Sequence, residues 1–305
     1  MRILVIANPA AGLGRAGGRV GALARRLRAR GHEVDVVVTA APGDAGRHAA
    51  AAEGKYDRLV AAGGDGTLAE VVNGLSDPGR MPLVPMPAGT ANMLARALGV
   101  PRDPAALAAL VERGTARRLD LGVARFADGT TRRFLSVAGV GFDAEVTRTL
   151  ARTRRGRLGF RGYVAPIAGA FLRHQPAQLA VRLDGGPPIA CGFAIVGRLA
   201  NYGGVLHVTP DAEPDDGLLH ACLFLRAGRL DLLRFVLPAF RGRLAERPDV
   251  VARAAHALAI EATAPAPVQL DGDYVGTTPV VLTLAARAVP VLAATTRRTK
   301  PAASG

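Results

Sequence analysis

Ala61-Ala-Gly-Gly-Asp-Gly-Thr-Leu68 sets two adjacent glycines, a carboxylate, a third glycine and a hydroxyl between a strand-like run, Arg58–Ala62, and a helix-like run, Leu68–Leu75. Backbone amides approach an anion closely where no Cβ intervenes, and glycine also tolerates positive φ. The unpaired amides at the start of the following helix add partial positive charge. Asp65 is placed to act through a magnesium ion and Thr67 to donate a hydrogen bond. The stretch predicts a turn that holds a phosphate chain. The competing reading is a glycine-rich link between strand and helix.

Working outward, the first third of the chain alternates between strand and helix signals. Ile3–Ala7 reads as a strand, followed by the turn Asn8-Pro-Ala-Ala-Gly-Leu-Gly14. A helix is expected near Gly18–Arg30, with Val20, Leu23, Ala24 and Leu27 on one face, ended by Gly31. Glu33–Thr39 alternates as a strand, Asp44–Glu53 reads as an alanine-rich helix, Pro82–Met86 as the fourth strand and Ala91–Leu98 as the helix after it. Repeated βα units predict a parallel sheet with helices on both faces, and ligands in such sheets sit at the carboxyl ends of the strands. Pro87-Ala-Gly-Thr-Ala-Asn92 is then a second phosphate-binding candidate, in which Thr90 or Asn92 either caps the next helix or touches a nucleotide. The Asn8–Gly14 turn is a third, and the three turns are expected to converge on one cleft.

Beyond about Leu121 the pattern changes to short β-like runs: Phe134–Gly139, Gln178–Leu183, Ile189–Val196, Leu218–Leu225, Ala257–Ala262, Pro267–Leu270 and Pro279–Leu284. This predicts a sandwich or barrel, interrupted by helices near Phe160–Arg173 and Leu230–Arg241. Thr295–Gly305 is polar and is expected to fray.

At 305 residues the chain suits two domains, and its 49% hydrophobic content argues against disorder. No apolar run approaches the ~20 residues of a membrane-spanning helix, and Met1–Ala7 lacks a signal-peptide pattern, so a cytosolic protein is expected. Cys191 and Cys222 are too far apart for a metal or redox motif and read as core residues. The six histidines form no HExxH pair.

Net charge is +14, carried almost wholly by arginine, because Lys55 and Lys300 are the only lysines. Neither the lysine of a P-loop nor that of a protein kinase can be supplied. Arg148, Arg152, Arg154, Arg155, Arg157 and Arg161 fall together with no acid among them, which suits anionic lipid headgroups, nucleic acid or a solvated basic face. Phe160–Leu172, containing Tyr163, Val164, Ile167 and Phe171, either lies on a bilayer surface or packs on the β domain. Aromatics are only 4%, and no stacking motif interleaves with the arginines, which argues against a nucleic-acid partner.

Asn8-Pro-Ala-Ala-Gly12, Thr39, Gly63-Gly-Asp-Gly-Thr67, Pro87-Ala-Gly-Thr-Ala-Asn92, Leu119-Asp-Leu-Gly122, Gly139-Val-Gly-Phe-Asp143, Asp215-Asp-Gly-Leu-Leu219 and Leu270-Asp-Gly-Asp273 occur in this order across nearly the whole chain. With these pieces the sequence resembles the diacylglycerol kinase catalytic family, which also contains the sphingosine and ceramide kinases, and most of all its soluble bacterial members. The resemblance implies an α/β domain over 1–121, similar to NAD kinases and phosphofructokinases and rejoined by 286–305. It also implies a β-rich, sandwich-like lipid-substrate domain over 122–285, with ATP in the cleft between the two. By carry-over, ATP is contacted by Asn8, Pro9, Ala10, Ala11, Gly12, Thr39, Gly63, Gly64, Asp65, Gly66, Thr67, Leu68, Ala69, Glu70, Gly89, Thr90 and Asn92. The family commonly has a glutamate base where this chain has Asp273, and Asp271 is a weaker neighbour. An acceptor within ~3 Å of the substrate hydroxyl is all the chemistry demands. A magnesium site maps to Asp216 with backbone oxygens of Glu213 and Leu218. Two departures from the family stand out: Met93 replaces a frequent acid, and Ala11 a common serine.

Taken together these features predict an ATP- and Mg2+-dependent lipid kinase acting on diacylglycerol or a related membrane lipid, with Asp65 and Asp273 catalytic. Such a protein would be cytoplasmic and peripherally associated with anionic membrane, either monomer or homodimer. A kinase of a soluble acceptor such as NAD, and a nucleotide-responsive membrane-binding protein without catalysis, are the alternatives.

Overall fold

The computed structural model describes residues 1–11, 16–153 and 164–294. Gly12 and Gly14, the arginines at 154, 155, 157 and 161, the segment 160–163 and the tail 295–305 lie outside the described residues.

The N-terminal lobe runs β1 (Arg2–Ala7), α1 (Ala16–Arg28), β2 (Glu33–Val38), α2 (Asp44–Ala52), β3 (Arg58–Gly63), α3 (Asp65–Gly74), β4 (Leu83–Pro87), α4 (Met93–Ala97) and α5 (Pro104–Arg113). Its strands pair in parallel in the order β2-β1-β3-β4. β1, β3 and β4 are near-continuous apolar runs because helices cover both sheet faces, and all their residues but Arg2 and Arg58 are buried. Val20, Leu23, Ala24 and Leu27 of α1 are buried in this core. α2 and α3 cross where Gly46 meets Gly74: a Cβ on Gly74 would lie 2.2 Å from the Gly46 carbonyl oxygen.

The chain continues through β5 (Ala116–Phe126), β6 (Thr131–Phe134), β7 (Val137–Val140), α6 (Phe142–Thr153), α7 (Val164–Arg173), β8 (Leu179–Leu183), β9 (Ile189–Cys191), β10 (Phe193–Gly197) and β11 (Leu219–Phe224). α8 (Arg229–Arg241), β12 (Val250–Ala255), β13 (Leu258–Ala262), β14 (Pro267–Leu270), β15 (Asp273–Thr277) and β16 (Val280–Leu292) complete it. A six-stranded antiparallel sheet, β12-β11-β10-β7-β14-β15, faces β13, β8 and β16 across a core that includes Phe134, Val181, Val196 and Leu258. The expected α/β lobe with a sandwich-like β-rich partner is borne out.

Two long strands tie the lobes into one ten-stranded sheet. β5 and β16 pair antiparallel from Phe126↔Val280 to Ala116↔Leu292, with one irregularity between Ala285 and Val289, and Val291 also pairs in parallel with Leu83 of β4. The run Ile189–Val196, expected as one strand, is two. β9 pairs with β8 in the first sheet and β10 with β11 in the second. The chain changes sheets at Gly192, where a Cβ would lie 2.3 Å from that of Ala227.

Candidate active site

The carboxyl ends of β1, β3 and β4 carry the three glycine-bearing turns, and their described residues touch one another. The Asn8 amide donates to Ala62 O (2.9 Å), extending the parallel ladder by one residue. The Asn8 side chain then closes its own turn by accepting from the Ala10 amide (2.9 Å), and its Nδ2 donates to Thr67 Oγ1 (3.0 Å). Pro9 and Ala10 are exposed and Ala11 is half-buried. Thr39, buried at the end of β2, donates its amide to Ala7 O (2.9 Å). Gly63 O accepts from the amides of Ala88 (2.9 Å) and Gly89 (3.1 Å). At this crossing a Cβ on Gly89 would lie 2.4 Å from Gly64 Cα, so the two backbones meet with no room for a side chain.

Asp65 opens α3 and turns its carboxylate toward the start of α4, accepting the Leu94 amide (3.4 Å) with the amides of Asn92 and Met93 nearby. Burial raises its pKa, and these amides only partly offset the effect. Asn92 is buried in a left-handed conformation (φ 48°). Its side chain bonds the Gly89 amide (2.8 Å) and carbonyl (2.7 Å), so it closes the 89–92 turn. Thr90 is exposed beside it, and Leu68 belongs to the core.

An open cleft of about 500 Å³ separates α2 and α3 from the C-terminal lobe, with Ala69, Glu70, Arg47 and Asn73 on one side and Arg132, Arg133 and Asp273 on the other. Asp273 Oδ2 stands 3.4 Å from where a side chain on Gly66 would begin. The hairpin carrying Asp273 is a two-residue Asp-Gly turn with φ 51° at Asp271 and 93° at Gly272, the pattern that matches strand twist.

Two anchors fix its tip. Asp271, buried, accepts the amides of Leu135 (2.7 Å), Ser136 (2.7 Å) and Val137 (3.0 Å). Gln269, also buried, accepts the Gly272 amide (2.8 Å) and donates to Asp143 Oδ2 (2.7 Å), while the Tyr202 hydroxyl donates to Asp143 Oδ1. Asp271 is thus occupied in holding β6, β7 and β14 together, whereas Asp273 faces the cleft. Burial outweighs the three amide bonds and raises Asp271 to about 6.

A folded-state value above the unfolded one means the folded protein binds the proton more tightly. This contribution is full below the unfolded carboxyl value and is lost as pH rises through about 6. Wild-type stability relative to Asp271→Asn, read by isothermal denaturation, is expected to fall by about 2 kcal/mol between about pH 4 and pH 7. A difference that stays flat with pH would contradict it.

Asp216 lies in a closed turn. Its carboxylate accepts the amides of Glu213 (3.1 Å) and Leu218 (3.0 Å) and bonds His220 Nε2 (2.8 Å), and Glu213 O accepts the Asp216 amide (3.4 Å). The guanidinium of buried Arg198 already brings positive charge among Asp120, Asp215 and Asp216. Among the described residues no group of three or more His, Cys, Asp or Glu is placed to hold a metal ion. Oxygen donors suit magnesium, and a carboxylate has acceptor capacity beyond the three hydrogen bonds at Asp216, which would hold the ion together with the backbone oxygens of Glu213 and Leu218.

Arg47, Asn73, Arg132, Tyr202 and Gln269 border or brace the cleft without a sequence signal that singles them out. Asn73 bonds the backbone of Arg133 in both directions (2.9 Å each), a pairing across sixty positions that no spacing rule reveals.

Comparison with known proteins assigns this arrangement. Residues 2–124 match the diacylglycerol kinase catalytic domain, and 136–293 match the YegS C-terminal NAD kinase beta sandwich-like domain. These matches make the chain a kinase with an alcohol group as acceptor. It belongs to the diacylglycerol kinase family: a diacylglycerol kinase of Mycobacterium tuberculosis (strain ATCC 25618 / H37Rv) is 31% identical over 295 residues, 95% of this chain and 94% of the relative. One from Bacillus subtilis (strain 168) is 29% identical over 283 residues, 91% of each. In fold, two solved chains from Bacillus anthracis str. Sterne align with TM-scores of 0.78 and 0.72 at 23% and 22% identity, covering 96% of this chain and 95% and 96% of theirs.

Proposed function

We propose that the protein transfers the γ-phosphoryl group of ATP to a hydroxyl of diacylglycerol or a related neutral membrane lipid. In this reading residues 1–121, with the end of β16, hold the donor, and 122–285 present the acceptor. The name carried by the full-length relatives supports the acceptor class. The observation that carries the mechanism is the placement of the Asp273 carboxylate over Gly66, at the mouth of the glycine turns.

The triphosphate would rest on amides of the turns beginning at Asn8, Gly63 and Pro87, and Asp273 would accept the acceptor hydroxyl's proton as its oxygen attacks the γ-phosphorus and ADP departs. Little covalent chemistry is asked of the protein beyond this. Positioning and charge neutralisation supply the rate. Asp65 contributes by fixing the start of α3 against that of α4, so that both turns hold their shape when the anion arrives. Magnesium enters as the companion of the nucleotide, and no step is routed through Asp216. The protein would work in the cytoplasm at the surface of an anionic membrane.

Incubation with labelled ATP and a total lipid extract is expected to yield a labelled phospholipid, and Asp65→Asn to lower its rate by at least about tenfold. Label found solely in a water-soluble product would favour a soluble acceptor and defeat this reading.

A further inference from the structure

α8 presents an apolar face to solvent. Leu230, Leu233, Val236, Leu237 and Phe240 are each 49–69% exposed, and at about 100° per residue they fill an arc of roughly 120°. The helix is not loosely held. Its opposite face buries Leu232, Phe235 and Ala239, and Phe235 packs edge-on to Phe224 with ring centroids 4.8 Å apart. The exposed stripe is therefore a surface in its own right, larger than the scattered single residues that ordinary surfaces carry.

The charges around the stripe identify its occupant. Arg234 and Arg241, both exposed, lie on one edge, and Arg229 sits within it at the N-terminal end. The one acid of the helix, Asp231, is engaged by the Gly228 amide (3.0 Å) and by Arg234 (3.6 Å). A second copy of this chain placed face to face would oppose arginine to arginine. An anionic bilayer answers both features, because its acyl boundary accepts the leucines and phenylalanine and its headgroups accept the guanidinium groups.

The surface also extends beyond the helix. Arg229 donates to Leu172 O at the end of α7, and Leu172 is 65% exposed beside it. At the other end the His207 amide donates to Ala239 O (2.8 Å). That loop reaches the site, since Tyr202 bonds Asp143 and the Gly203 amide lies 3.2 Å from Met93 Sδ.

We infer that the α8 face docks on anionic lipid bilayers, with the helix lying in the interface plane. The inference builds on the proposed lipid acceptor for its purpose, while docking itself is measured without ATP. It is tested by co-sedimentation of the full chain with vesicles of phosphatidylcholine alone or with phosphatidylglycerol. Wild type is expected to partition onto the anionic vesicles and to be released by salt.

Leu233→Ser/Leu237→Ser and Arg234→Gln/Arg241→Gln are each expected to weaken partitioning by at least about tenfold. Both should leave unchanged the phosphorylation of a short-chain diacylglycerol dispersed as monomers. Partitioning equal to wild type in either variant would overturn the inference. So would a loss of dimer by size exclusion in the leucine variant with vesicle binding intact, which would place a second copy on the face. Vesicle binding that behaves as stated with no lipid product would leave the docking surface standing and sink only the kinase reading.

Discussion

Asp273→Asn is expected to lower lipid phosphorylation by about a thousandfold while leaving ATP affinity within about twofold of wild type. The asparagine keeps the volume and one acceptor oxygen but has no basicity with which to take the hydroxyl proton. The tip of the hairpin keeps its anchors, Asp271 on three amides and Gln269 on Gly272. The loss should therefore appear in kcat. Asp273→Glu tests reach: the acceptor hydroxyl must lie within about 3 Å of the carboxylate, so a side chain longer by one methylene should retain activity only if the acceptor can shift to meet it. Near-normal turnover by Asp273→Asn would remove residue 273 from the chemistry.

Gly89→Ala is the second substitution with a large expected effect, and it acts on the donor side. The added methyl would lie 2.4 Å from Gly64 Cα and 3.1 Å from Gly64 N, both backbone atoms that no rotamer change can clear. Either the β3 and β4 turns separate or both strand ends shift. In each case the Gly63 carbonyl loses its bonds from Ala88 and Gly89. We expect a stability loss of about 1–3 kcal/mol by denaturant titration and an ATP affinity lower by at least about tenfold by calorimetry. Gly64→Ala, whose methyl would sit at 3.3 Å from Gly89 Cα, should be the milder of the pair. Equal affinities for both variants and wild type would show that the turns do not depend on this close approach.

The N-terminal lobe was legible because its signals are local. Apolar runs of five or six residues, each ended by glycine-rich turns, translate directly into buried parallel strands, and three such turns in one lobe announce a shared edge. α5 also carries a local signal, with Asp103 accepting the amides of Ala105 and Ala106 ahead of Pro104 at the first helical position. The regular strand and helix alternation simply does not call for it.

The β-rich lobe was legible only in outline, since antiparallel partners are chosen by packing between distant segments. Nothing in Ile189–Val196 distinguishes one strand from two until Ala227 is known to press on Gly192. The same holds at the site. Asp-Gly-Asp reads as a hairpin from its composition, but which aspartate faces the cleft depends on the amides of residues 135–137. The brace from Tyr202 through Asp143 to Gln269 is wholly tertiary.

β5 and β16 run through both lobes, paired on either side of the irregularity between Ala285 and Val289, so the border between the lobes is a hydrogen-bonded ladder and not a free linker. A scissor-like closure centred away from that irregularity would have to break rungs of the ladder that joins Ala116 to Leu292. Much of the distance from carboxylate to glycine turn is thus set when the chain folds, and reactants come to a largely preformed frame. Adaptation to acceptors of different bulk falls to the loops around that frame.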